Sequence, residues 1–176
     1  MNTPAHIVIA ASAAKALPHV PLNSAVLIGS VAPDLPLYTL SCVAGLYFIV
    51  IKKMPPKAAA RLIFDELFFH HPVWISLHNL LHAPLILVSA IVVSAWLSGT
   101  YDLARWWLWF FSSCLLHTLL DIPTHHNDGP LLLFPVNWQL RFRSPISYWD
   151  TAKGARKFMM FEVCLTLALT VYLVWM

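Results

Sequence analysis

Charged residues are scarce in this sequence. Only 11% of its 176 residues are charged, against roughly 25% in ordinary soluble domains, and 59% are hydrophobic. The net charge of +3 comes with no basic run interleaved with aromatic residues, which argues against nucleic acid as a partner. The three cysteines lie far apart in apolar stretches and form no CxxC pair, so we expect them to be packing residues. The chain also lacks a P-loop, a dinucleotide-binding fingerprint and a nucleophile elbow.

Long apolar segments are what the sequence has instead, and with a mean hydropathy of +0.69 they indicate a membrane protein. The length fits a single domain over residues 1–176. We predict an all-α fold, a polytopic membrane helical bundle with three to four spans plus short N-terminal and amphipathic helices. The segments long enough to span are 80–98, 103–122 and 158–176, whereas 37–51 is at or below the limit. Shorter helices are predicted at 3–17, 22–33, 57–70 and 73–82.

Lysine and arginine residues flank the first two predicted spans and concentrate in 52–80 and 123–157. The positive-inside rule places both regions in the cytoplasm. One membrane surface would then hold His78, His82, His117 and Asp121. If 37–51 were a full span, His6 and Asp34 would lie on the opposite side. Either 37–51 is re-entrant or interfacial, or these two residues have no part in the site, and the short length of the run favours the first option.

Nine histidines are many for so apolar a chain. His117 and Asp121 are four residues apart, so both project from one helix face and can bind one metal ion or bridge two. Alternatively, Asp121 caps the end of the helix and His117 donates a hydrogen bond to a neighbouring helix. A carboxylate at a helix C-terminus, however, interacts unfavourably with the helix dipole. His78 and His82 repeat the spacing and form a half-site suited to zinc or manganese. His78 could equally be a core or interface histidine.

Further candidate site residues follow the predicted span 103–122. His125 and His126 are adjacent and point in different directions, so we expect only one of them to face the site. The loop 123–150 is long, and long ordered loops are often functional. Its Arg141 and Arg143 could hold a phosphate, although membrane-surface charge is the simpler interpretation.

Four motifs occur in the order TPAHIVIA, GSVAPD, HNLLHAP and LLHTLLD. Together they resemble the membrane-bound metal-dependent hydrolase family of bacterial inner-membrane proteins, which is remotely similar to zinc-dependent phospholipase C. The resemblance implies a divalent metal, zinc first and manganese second. The ligands that it implies are His6, Asp34, His82, His117, Asp121 and one further histidine, His125 or else His126. The chain departs from the family around the third motif and lacks a late His–Glu pair, which favours one or two ions over three.

These features predict a metal-dependent hydrolase of a phosphoester, in a lipid headgroup or a phosphorylated lipid, at the cytoplasmic face of the bacterial inner membrane. Asp34 or Asp121 would bind metal or act as general base. The candidate substrate contacts are His78, His126, Arg141 and Arg143. The alternatives are a non-enzymatic metal-binding or transport-related membrane protein, and a haem protein with His82 and His117 as axial ligands. Membrane lipid is the expected partner, and a homo-oligomer is left open.

Overall fold

The computed structural model describes residues 1–175, which fold as helices joined by turns and one long loop. The helices are α1 Thr3–Ala16, α2 Ser24–Gly29, α3 Leu35–Gly45, α4 Pro56–Arg61, α5 Phe68–His70, α6 Pro72–Leu80, α7 Pro84–Leu97, α8 Asp102–Asp121 and α9 Ala155–Trp175. π-helical turns at Leu46–Ile51 and Leu62–Leu67 continue α3 and α4. The long loop between α8 and α9 contains one isolated antiparallel bridge, between Leu131 and Arg141.

Proline and asparagine set most of the helix starts. A proline lies in the first turn of α1, α3, α4, α6 and α7, where its missing N–H has no helical partner to lose. Asn2 caps α1, since its Oδ1 accepts from the backbone N–H of Ala5 at 2.9 Å. Asn23 caps α2 in the same way, accepting from Val26 at 3.2 Å. These caps fix the two short N-terminal helices that carry the chain towards the centre of the molecule.

The centre of the fold is α8, against which α7 and α2 both pack. The buried side chains shared by these helices are Ala25, Ala32, Leu87, Phe110 and Cys114. Gly29 lies at the crossing of α2 and α8, where an added Cβ would clash with the Phe110 carbonyl oxygen and lie 2.9 Å from Ser113 Cβ. The absence of a side chain at this position therefore lets the two helices approach closely.

The remaining long helix, α9, packs along α1 in the same direction. Near the end of both helices, Lys15 Nζ donates to the carbonyl oxygens of Tyr172 and Leu173 at 3.2 and 2.9 Å. At the start of α1, Asn2 donates to Glu162, which lies two turns into α9. Apart from this seam, α9 is apolar and mostly exposed.

The prediction of three to four membrane spans is wrong. Among the described residues, only α9 is by itself long and apolar enough to cross a bilayer. The predicted span 80–98 fails because the chain turns at residues 81–83 and Pro84 begins a new helix, which leaves α7 with 14 residues. α6 and α7 would qualify only as one span bent by 42°. The end of the predicted span 158–176, Met176, lies outside the described residues.

The predicted span 103–122 corresponds to α8, which has 20 residues but does not pass as a span. Its buried face carries polar side chains as well as apolar ones, namely Ser113, His117, Thr118 and Asp121. The helical run Leu35–Ile51 is also too short. The predicted multi-pass topology is therefore wrong. The membrane orientation that was deduced from the charges around three spans is no longer supported. Helix packing, not a shared membrane surface, is what brings the polar residues together.

Candidate metal centre

Four side chains from separate parts of the chain converge at the C-terminal end of α8. We call them the His–Asp cluster: Asp34, His82, His117 and Asp121. Asp34 precedes α3, His82 lies in the turn between α6 and α7, and the other two occupy the last turns of α8. One ligand atom from each lies within 4.8 Å of the others. This buried group of imidazoles and carboxylates could hold a metal ion.

The four facing atoms are two imidazole nitrogens and two carboxylate oxygens. His117 Nε2 lies 3.1 Å from Asp121 Oδ2 and 3.5 Å from Asp34 Oδ1. His82 Nε2 lies 3.7 Å and 3.8 Å from the same two oxygens. Ligand atoms around one zinc ion are separated by roughly 3–4 Å, because each bond to the metal is about 2.0–2.2 Å long. The four separations between imidazole nitrogens and carboxylate oxygens fall within that range.

Backbone carbonyls orient both imidazoles. His117 Nδ1 lies 2.8 Å from the carbonyl oxygen of Ser30, and His82 Nδ1 lies 3.0 Å from that of His78. Since a carbonyl only accepts, each Nδ1 must carry the proton, and each neutral ring then directs an Nε2 lone pair into the cluster. His117 Nε2 is buried and has no hydrogen-bond partner. A divalent cation would satisfy this nitrogen, so the residues fit a metal.

A hydroxyl group holds the second oxygen of Asp34. Thr3 Oγ1 donates to Asp34 Oδ2 and lies 2.6 Å from the hydroxyl of Tyr38. Because the carboxylate can only accept, the Thr3 proton points to Asp34 and Tyr38 donates to Thr3. This arrangement leaves Asp34 Oδ1 turned towards the two histidines.

The second oxygen of Asp121 faces two further predicted ligands, which lie beside the cluster instead of within it. Asp121 Oδ1 lies 3.1 Å from His6 Nε2 and 2.8 Å from the amino nitrogen of Met1. The His6 ring stacks on that of His117, with centroids 3.6 Å apart. His125 Nδ1 is 3.7 Å from Asp121 Oδ1 and donates to the Asp121 carbonyl at 3.0 Å. His6 and His125 thus lie next to Asp121 Oδ1, the carboxylate oxygen that is not one of the four facing atoms.

The charges in the cluster favour a cation. Burial alone would raise the pKa of Asp34, but the His117 imidazole 3.5 Å away outweighs burial and lowers that pKa to about 2. Burial would lower the pKa of His117, but Asp121 and Asp34 outweigh it and raise that pKa to about 9. The pKa of Asp121 is lowered despite burial, chiefly by His117 and His6. In the absence of metal, a proton on His117 therefore offsets the two carboxylates.

The predicted substrate contacts lie at different distances from the cluster. The His78 ring packs against that of His82, with centroids 4.3 Å apart, and is buried. His126 Nδ1 donates to the Ser144 carbonyl, which secures the long loop. Arg141 donates to the Gly129 carbonyl and lies about 6 Å above two phenylalanine rings. Arg143 is exposed. The structure therefore places His78 beside the cluster and gives Arg141 a contact within the loop.

Two neighbouring cavities lie near the cluster, and the first of them adjoins it. This first cavity, of about 150 Å³, is lined by three of the cluster residues together with His78, His125 and Tyr38. The second, of about 430 Å³, contains no cluster residue in its walls, which combine the apolar side chains of Leu37, Phe64, Phe68, Phe69 and Trp149 with polar ones that include Asp65, Asp128 and Asp150. Four residues line both cavities: Leu37, Phe68, Asp128 and Trp149. A molecule with a polar end at the cluster could therefore place an apolar part in the second cavity.

Sequence reasoning missed Thr3, Tyr38 and Glu162. Thr3 and Tyr38 carry no spacing pattern that connects them to Asp34, so their contact could not be read from the sequence. Glu162 had a usable signal, because a carboxylate in the middle of an apolar helix is costly unless it has a partner.

Comparison with known proteins does not assign the chain to a family. No family model matches it, and no curated protein or solved structure does so either. The resemblance to membrane-bound metal-dependent hydrolases consequently stays a prediction. Any function must be inferred from the His–Asp cluster and the cavities beside it.

Proposed function

We propose that this protein is a metal-dependent hydrolase that cleaves a phosphoester in a membrane lipid or phosphorylated lipid. The observation that carries the proposal is the His–Asp cluster, in which two oriented imidazoles and two carboxylates meet next to a cavity. Four nitrogen and oxygen donors at this spacing suit zinc, which takes four such ligands in tetrahedral geometry. Manganese is the alternative ion, since carboxylate ligands also suit it.

When bound, a divalent ion at the cluster would supply a Lewis acid for a phosphoryl oxygen and would favour deprotonation of water. Among the protein's own groups, Asp34 and Asp121 are the two candidates for the general base. In each carboxylate the oxygen that faces away from the cluster is already engaged: Thr3 donates to Asp34 Oδ2, and the Met1 amino group lies 2.8 Å from Asp121 Oδ1.

A lipid substrate is supported by the apolar surroundings of the cluster. The second cavity would accommodate the apolar portion next to the cleaved bond. The exposed apolar helix α9 would bring the protein to a membrane. Four basic residues precede or begin α9, namely Arg143, Lys153, Arg156 and Lys157. By the positive-inside rule, this end of α9 would face the cytoplasm of a bacterial inner membrane.

Metal analysis of the purified chain tests the proposal. After dialysis against metal-free buffer, we expect about one zinc or manganese ion per chain by mass spectrometry. His117→Ala and Asp121→Ala should retain little metal, because each removes a donor from the cluster, and should lose hydrolysis of bis-p-nitrophenyl phosphate and of phospholipid vesicles. His70→Ala, at an exposed histidine outside the cluster, is the matched control and should behave as the wild type. Metal-free wild-type protein would contradict the proposal.

A structural metal is the second candidate function. His82 and His117 are only 2% and 1% exposed, and structural zinc sites are typically closed, whereas catalytic sites keep an open position. Under this alternative the protein would retain the ion but would hydrolyse neither probe. The same purified samples therefore separate the two candidates.

A further inference from the structure

Glu162 is a fully buried carboxylate in the apolar helix α9. A buried charge is costly unless hydrogen bonds compensate it. Here both compensating donors come from one residue: the Asn2 backbone N–H donates to Glu162 Oε1 at 2.7 Å, and Asn2 Nδ2 donates to Oε2 at 2.8 Å. The carboxylate therefore binds the start of α1 in a fixed orientation.

Asn2 transmits that orientation towards the cluster. Its side-chain oxygen, Oδ1, caps α1 by accepting from Ala5 at 2.9 Å, so its backbone and side chain are both fixed. The next residue, Thr3, is buried and donates to Asp34 Oδ2. Asp34 then turns Oδ1 towards His117 and His82, at 3.5 and 3.8 Å. The hydrogen bonds of Asn2 and Thr3, joined by the peptide bond between these two residues, thus link α9 to the carboxylate of Asp34.

We propose that Glu162 is a positioning residue for the His–Asp cluster, acting through Asn2 and Thr3 on Asp34. The contact between α9 and α1 then affects metal affinity. Through this contact, the exposed apolar helix α9 influences the position of Asp34 in the His–Asp cluster. The inference rests on the proposed metal binding but not on catalysis. Outer partners of metal ligands commonly change metal affinity by about 10–100-fold when they are removed.

A purely structural role for Glu162 has a matched control within the same helix pair. Lys15 also joins α1 to α9, through the carbonyl oxygens of Tyr172 and Leu173, but it lies at the far end of α1. Loss of either contact should loosen α9. Only loss of the Glu162 contact should change the positions of Thr3 and Asp34.

The experiment uses the full chain in detergent, with Co²⁺ as the metal probe. Titrations give the dissociation constant, and the visible absorption spectrum of bound Co²⁺ reports ligand geometry. We expect Glu162→Gln and Thr3→Val to weaken Co²⁺ binding about tenfold and to change the spectrum. Thr3→Ser keeps the hydroxyl and Lys15→Met leaves the start of α1 intact, so both should match the wild type. Glu162→Asp retains the charge on a shorter side chain and should give an intermediate constant.

The outcomes separate this inference from the proposed function. If wild-type protein binds Co²⁺ and Glu162→Gln leaves both the dissociation constant and the spectrum unchanged, the inference is wrong while metal binding stands. If Lys15→Met weakens Co²⁺ binding as much as Glu162→Gln does, general loosening of α9 explains the effect and the positioning role fails. If the wild type binds no Co²⁺, the proposed function fails and the inference fails with it. Should Glu162→Gln not fold, the comparison of Thr3→Val, Glu162→Asp and Lys15→Met decides.

Discussion

Single residues in the His–Asp cluster make the stability of the metal-free protein depend on pH in two directions. The pKa of Asp34 falls from 3.8 to about 2, so its contribution is present above pH 3.8 and is lost as the pH drops towards 2. The pKa of His117 rises from 6.5 to about 9, so its contribution is present below pH 6.5 and is lost as the pH rises through 9. The contributions of these two groups are therefore both fully present only between about pH 4 and pH 6.5.

Thermal melts in chelator from pH 3 to pH 10 would measure this profile. His117→Gln removes the titrating imidazole and should lower stability at acidic pH while flattening the alkaline decline. An alkaline decline of equal size in wild type and variant would show that another group is responsible.

The cluster was partly predictable at this scale. His117 and Asp121 could be paired from the sequence because four residues on a helix bring two side chains to one face. Asp34 was linked to them only through a family resemblance, and His82 through that resemblance and a membrane orientation that the structure overturns, since no periodicity relates a turn between two helices to a loop before another. The bond between Thr3 and Asp34 joins residues 31 positions apart, and no local pattern encodes it.

Among the elements, the crossing of α2 and α8 is the most sensitive to added volume. Gly29→Ala would place a methyl group 2.9 Å from Ser113 Cβ and against the Phe110 carbonyl. The helices would have to separate, and α2 leads directly to Ser30, whose carbonyl orients His117. We expect a loss of about 1–3 kcal/mol in the free energy of unfolding, together with weaker metal binding.

Denaturant unfolding with a parallel metal titration would check this expectation. Gly45→Ala is the control, because an added Cβ there meets no atom within 4 Å and alanine favours a helix over glycine. It should leave stability unchanged or slightly raised. Equal destabilisation by both substitutions would contradict the close approach of α2 and α8.

Helix ends were easier to predict than helix environments. Prolines at positions 4, 56 and 72 lie in the first turns of α1, α4 and α6, next to the predicted helix starts at 3, 57 and 73, whereas the predicted span 80–98 ran across Pro84, which begins α7. What the hydropathy pattern could not distinguish was an apolar helix in a bilayer from one packed on its neighbours. Leu87 in α7 and Cys114 in α8 are fully buried against each other's helices, so part of the apolar content predicted to meet lipid forms a protein core.

On the scale of the whole molecule, α9 is the element that by itself is long and apolar enough to cross a bilayer, among the residues that the structure describes, and most of its side chains are exposed. In the middle of α9, Leu167 is 62% exposed. We expect Leu167→Lys to reduce co-sedimentation with lipid vesicles, since a lysine at the centre of a spanning helix costs about 2.5–3.5 kcal/mol on insertion scales.

The control for this measurement lies in the long loop, where Val136 is 80% exposed. Val136→Lys adds the same charge away from α9 and should leave vesicle binding unchanged. If both variants sediment like the wild type, α9 is not the surface that meets lipid.

The wide spacing of the cluster residues along the chain has a consequence for folding equilibria. Asp34, His82 and the pair on α8 are separated by dozens of residues, so an unfolded chain presents no preformed set of donors. An ion that binds the native state alone stabilises it by mass action, at about 1.4 kcal/mol for each tenfold increase in free metal above the dissociation constant. The free concentration of the ion in its compartment would then help to set the fraction of chains that are folded.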